Sequence, residues 1–172
     1  MSIRLFIISF FCLGLSFLWS QAEAPKLSKA QLAQLKSYQQ ITQLVRQGKT
    51  DQKKFFAVYY KPIAESTLEM EPLYRKEGLK LQDRADQALE TQKMDLAKRL
   101  NQAARVYLDL ADTCKKISES YEKSDVGEIK SQLNNYLGLE KTLKEMKAKP
   151  LRREWFTTKE AEQMLRLIAK RK

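Results

Sequence analysis

Residues 96–121 read LAKRLNQAARVYLDLADTCKKISESY, and one apolar stripe runs through them at Leu96, Leu100, Ala103, Tyr107, Leu110, Cys114, Ile117 and Tyr121. The steps between them are 4, 3, 4, 3, 4, 3 and 4. Alternating steps of three and four keep one side of an α-helix apolar over about seven turns, as in a coiled-coil seam, which places the chain in the all-α class. A second stripe lies upstream, Tyr74, Gly78, Leu81, Ala85 and Ala88, whose small members permit close approach of a partner helix. The two stripes fall out of phase around Gln92-Lys93-Met94-Asp95, where Asp95 can cap a new helix. A hairpin turn is predicted there. One continuous helix is the alternative, since the 11-residue step from Ala85 to Leu96 keeps a face aligned on a straight helix.

The flanking segments repeat the pattern. Ser28-Lys29-Ala30-Gln31 is a capping box with Leu27 and Leu32 at the staple positions, and Leu32, Leu35, Tyr38, Ile41 and Val45 follow at helical spacing until Gly48. A helix over 29–47 is expected. Phe55, Phe56, Tyr59 and Tyr60 lie in a six-residue apolar run that is as β-prone as any in the chain. Spacings of three and four to Ile63, with Thr50 or Asp51 as N-cap, favour helix; Pro62 and Pro72 predict kinks or breaks. Asp125 and Glu128 open a further helix carrying Val126, Ile129, Leu133, Tyr136 and Leu143 as far as Lys149, and Pro150 ends it. Thr157 and Glu160 cap a short last helix with Met164, Leu165 and Ile168 on one face. The expected architecture is an antiparallel helical bundle, or two packed helical hairpins, with a short C-terminal helix. The turns are unevenly spaced, and bulky Lys53 and Arg99 stand where the tetratricopeptide pattern needs small residues, so that repeat does not describe the chain.

The N-terminal segment carries an address. Arg4 precedes an apolar run from Leu5 to Trp19 and then Ser20-Gln21-Ala22-Glu23-Ala24, the three-part layout of a secretory leader. Cleavage after Ala22 avoids placing Pro25 next to the scissile bond. The run is 15 residues long, short of the roughly 20 that a spanning helix needs. The expectation is a leader over 1–22 and a single helical domain over 23–172, exported to the bacterial periplasm or secreted, with no later membrane span.

Composition narrows the chemistry. The chain has no histidine, and Cys12 leaves with the leader, so Cys114 is the one cysteine of the mature product. No metal or cofactor is expected, because imidazole and paired thiolates are the usual ligands. The formal charge is +11, and residues 141–172 hold eleven Lys and Arg against four Glu, a net of +7 in the last fifth. For an exported chain this basic extension, 149–172, points away from nucleic acid and toward anionic envelope polymer or lipid head groups, or an acidic protein.

Three groups of residues are candidates for function. Arg152, Arg153, Trp155 and Phe156, with Arg166, Lys170, Arg171 and Lys172, could bind an anionic surface through guanidinium groups and interfacial rings; folding back of Trp155 and Phe156 as anchors is the structural alternative. Phe55, Phe56, Tyr59 and Tyr60 form a candidate interaction face, or else core filling where helices cross. Cys114 is a candidate for an intermolecular disulfide along the seam, or a small buried hydrophobe. A carboxylate-based glycosidase or transglycosylase would need no histidine, and Glu65, Glu69 and Glu71 cluster between the two prolines. The glycine-rich segment that accompanies the Glu-Ser pair in lytic transglycosylases is absent, which leaves a solvated acidic turn. The leading expectation is therefore a non-enzymatic exported protein that binds another envelope protein or itself, as an adaptor, chaperone or assembly factor. Binding of an anionic polymer or lipid through the basic segment is second, and the carbohydrate-cleaving enzyme third.

Overall fold

Ser28 starts the first helix: its Oγ accepts from the Gln31 N–H at 3.1 Å and the Gln31 side chain accepts from the Ser28 N–H at 3.0 Å. The computed structural model describes residues 27–49 and 52–170. They form α1 (Lys29–Arg46), α2 (Gln52–Glu90), α3 (Met94–Glu122), α4 (Val126–Glu145) and α5 (Thr158–Ala169). No strand occurs among the described residues. The leader expected over 1–22, the caps expected at Thr50 or Asp51, and Arg171 and Lys172 lie outside them.

The hairpin between α2 and α3 is present, and residues 91–93 make the turn. Asp95 is not its cap: Lys93 occupies that position without a side-chain hydrogen bond, and Asp95 sits in the first turn of α3. The turn closes by a Schellman pattern, Lys93 N–H to Ala88 C=O at 2.8 Å and Gln92 N–H to Leu89 C=O at 2.9 Å, with Gln92 at φ 55°. The same pattern ends α4 at Lys147, φ 58°, where the Ala148 N–H reaches the Leu143 C=O. This closure stops α4 at Glu145, short of the expected Lys149.

The prolines do not break the chain. α2 continues through Pro62 and Pro72 as one helix of 39 residues. Each proline removes an N–H from the ladder at a cost of about 3 kcal/mol. Tyr59, Tyr60, Ile63, Ala64, Thr67, Met70 and Tyr74, all buried across the same region, offset that cost through packing.

α3 lies between α2 and α4. Phe56 stacks on Tyr121 at one end of the α2–α3 pair, and Arg75 reaches Asp112 farther along at 2.8 Å, so the two helices run antiparallel. The Asn135–Thr113 and Tyr107–Lys149 hydrogen bonds give the same sense to α3 and α4. Besides its apolar seam, α3 buries Ala97, Ala104, Ala111 and Ser118, every seventh residue. Gly78 meets this small-residue line. A Cβ there would lie 2.8 Å from Leu108 Cγ and 3.2 Å from the Ala104 carbonyl oxygen, so glycine sets the spacing of α2 and α3. The core joins Tyr59, Tyr60, Ile63, Met70 and Tyr74 of α2 to Leu110, Cys114 and Ile117 of α3, Ile129, Tyr136 and Leu143 of α4, and Trp155. No described helix is long and apolar enough to cross a membrane.

Candidate functional site

The segment Lys147–Thr157 leaves α4 and runs back over the core as a strap. Its backbone is held by side chains of α1 and α3. The Tyr107 hydroxyl donates to the Lys149 C=O at 2.8 Å, and the Gln31 side-chain amide donates to the Arg153 C=O at 3.1 Å. The Gln34 amide takes Phe156 at both ends, donating to its C=O at 2.9 Å and accepting from its N–H at 2.6 Å. An irregular strand of chain that crosses a core must satisfy its peptide groups locally, and the two glutamines do so for this one. Gln31 and Gln34 are accordingly buried, whereas Leu32 and Val45, expected on the buried stripe, are 43% and 47% exposed. α1 is thus rotated toward the strap. Polar groups three apart on the inner face of an amphipathic helix were the signal that could have shown it.

Arg153 is the hub of the strap. Its Nε lies 3.2 Å from Glu140 on α4, and its two terminal nitrogens take both oxygens of Glu160 on α5 at 3.1 and 2.8 Å. Its guanidinium carbon sits 4.7 Å from the centre of the Trp155 ring. Burial opposes the charge of Arg153, but the hydrogen bonds to Glu160 and the field of Glu140 outweigh it and raise its pKa. Glu140, 5% exposed, is pushed upward by burial against the opposing pull of Arg153. Burial also acts to raise Glu160, yet the Arg153 and Thr157 hydrogen bonds prevail and lower it. One guanidinium serving two carboxylates leaves the more buried one short of compensation. Removing one member of such a buried pair typically costs about 3–5 kcal/mol. Glu140 follows Tyr136 by four and precedes Leu143 by three, so the chain carried a carboxylate on the apolar stripe of α4 that the reading of that stripe passed over.

The proposed anionic-surface cluster is therefore divided. Trp155 is 1% exposed and packs on Tyr136, and the Arg153 guanidinium is committed to Glu140 and Glu160, so the cluster's two central members are used within the fold. Phe156 is half-buried, while Arg152, Arg166 and Lys170 are exposed. Comparison with known protein families, curated proteins and solved structures finds no match.

The other candidates turn inward as well. Tyr59 and Tyr60 are buried and Phe55 and Phe56 half-buried, in a ladder of rings that links Tyr38, Phe55, Tyr59, Tyr60, Phe56 and Tyr121. The ladder is a joint between α1, α2 and α3 rather than an open interaction face. Tyr59 shares a short hydrogen bond with Thr158, which ties α5 to the same joint. Cys114 is 0% exposed, and burial pushes its thiol up to about 12. A thiol so placed cannot reach a second copy while the bundle is intact, so of the two readings of Cys114 the small buried hydrophobe is the one the fold supports. Glu65 and Glu69 are exposed on α2, and Glu71 is half-buried and bound to Arg75 at 2.6 Å. The three lie along one continuous helix rather than in a turn. Among the described residues no group of three or more His, Cys, Asp or Glu is arranged to hold a metal ion.

One feature of the surface had no counterpart in the sequence reading. Thr142 of α4 and Met146 just past its end line one pocket with Asn101, Gln102 and Val106 of α3. Beyond that level α2 and α3 continue without α4 as a two-helix arm, with Ala85, Ala88 and Ala97 buried in it. Leu89, Met94 and Leu96 stand at its tip, 42%, 65% and 46% exposed.

Proposed function

We propose that this chain is an exported, non-enzymatic helical protein that acts by binding another protein, as an adaptor, chaperone or envelope assembly factor does. The arm carries this reading. A projection that buries only alanines between its own helices and turns Leu89, Met94 and Leu96 outward brings apolar surface to another molecule. The leader layout of residues 1–22 supports export. The anionic-surface reading draws less support, since Arg153 and Trp155 are used internally.

The test is a photo-reactive amino acid at Met94 in cells that produce the protein. A discrete adduct is expected, and Leu89→Asp with Leu96→Asp should abolish it while helicity stays unchanged. Adduct formation that ignores these substitutions, or none from any tip position, overturns the reading.

A further inference from the structure

We propose that the groove between α1 and α5 is a docking site for an acidic amphipathic helix of a partner protein. The proposal rests on the reading of the chain as a protein-binding one and adds the chemistry of what it binds. α5 is the most amphipathic of the five helices, yet Ala161 is its one buried residue. Met164 and Leu165 are half-buried, and Leu167 and Ile168 are 46% and 39% exposed. α5 is anchored near its start, by Tyr59 to Thr158, Arg153 to Glu160 and the Tyr38 hydroxyl to Glu162 at 2.9 Å. Beyond that point a groove opens between it and the C-terminal half of α1, with Tyr38 and Thr42 on one wall and Leu165 and Ile168 on the other.

Charge selects the occupant. Arg46 and Arg166 line the groove, and Lys49 and Lys170 are exposed just beyond the ends of the two helices. Glu162 is the single carboxylate of the lining, and it is engaged by Tyr38. Cationic side chains beside the apolar wall residues Leu165 and Ile168 complement a helix whose apolar stripe is flanked by Asp or Glu. The groove also presents Gln39, Thr42 and Gln43. Acyl chains would strand these polar groups, whereas a polar-edged helix can hydrogen-bond to them, which favours protein over membrane.

The probe is a synthetic helical peptide of about five turns, with Leu at i, i+3, i+4 and i+7 and Glu on both flanks. Its counterpart carries Lys for every Glu. Each is titrated into the intact protein and followed by amide chemical shifts. The Glu peptide is expected to bind, with shifts confined to 38–46 and 162–169. Arg46→Glu with Arg166→Glu should weaken it at least tenfold and transfer preference to the Lys peptide, with unchanged helicity. Equal binding of both peptides, shifts elsewhere, no binding, or shifts of these same residues on anionic phospholipid vesicles but not with the peptide would each overturn the proposal. Adducts at Met94 separate the two levels: if they persist while the groove test fails, only the groove assignment falls.

Discussion

Glu140 and Glu160 share Arg153 but respond to pH in opposite directions. Glu160 is held below the ordinary carboxylate value of about 4.3. It gives stability that is present above that value and lost as pH falls through the lower folded pKa. Glu140 is held above it, so the folded state binds its proton more tightly than the unfolded chain does. Its contribution is greatest below the ordinary value and declines as pH rises through the raised one. Urea denaturation from about pH 3 to about pH 7 should therefore show Glu160→Gln removing part of the acid-side loss and Glu140→Gln flattening the decline on the other side. A common effect of both substitutions would contradict this arrangement. Cys114 makes a simpler case. With no exposure and a thiol raised to about 12, it should resist thiol reagents in the native protein and react at the rate of unfolding, and the protein should run as a monomer on non-reducing gels. Rapid native labelling would show that the seam opens.

At the scale of the helix, α2 carries a cost its sequence announced and its packing overrode. Pro72 is exposed and mid-helix, so Pro72→Ala restores a donor to the Leu68 carbonyl without disturbing the core. A gain of about 1–3 kcal/mol in chemical denaturation is expected. No gain would mean that the ladder around residue 72 is already relaxed in another way. The same helix shows what could be read in advance and what could not. The all-α class, the α2–α3 hairpin, both capping boxes and the close approach at Gly78 follow from spacing and local chemistry, which act within a few residues. The course of α2 through its prolines depends on contacts with α3 and α4, at separations that periodicity does not encode. The strap was legible as a run of basic and aromatic residues whose rings could fold back as anchors, and Trp155 does so. Its inward turn depends on Gln31, Gln34 and Glu140, polar residues at positions where an apolar stripe was expected. The projecting arm follows from the unequal lengths of α2, α3 and α4, once α4 is seen to stop at Glu145.

For the whole molecule, the basic C-terminal extension is a structural member. Truncation before Leu151 deletes Trp155 from the core and leaves Tyr136 and Glu140 without the groups that cover and pair them. Loss of a buried Trp alone typically costs about 3–5 kcal/mol, so the truncated protein should melt far below the intact one or fail to fold. A truncation that retains the full melting transition would show that the strap is an accessory. The exposed charges of α5 can be reversed independently, since Arg166 and Lys170 take no part in the strap.

The two glutamine clamps also set an order of events. Gln31 and Gln34 find their partners at Arg153 and Phe156, 122 residues later in the chain. The first helix therefore cannot be locked by these clamps until residues 153–156 have been made, and shorter pieces lack these contacts. The segment that closes over α1 is thus one of the most distant from it in sequence.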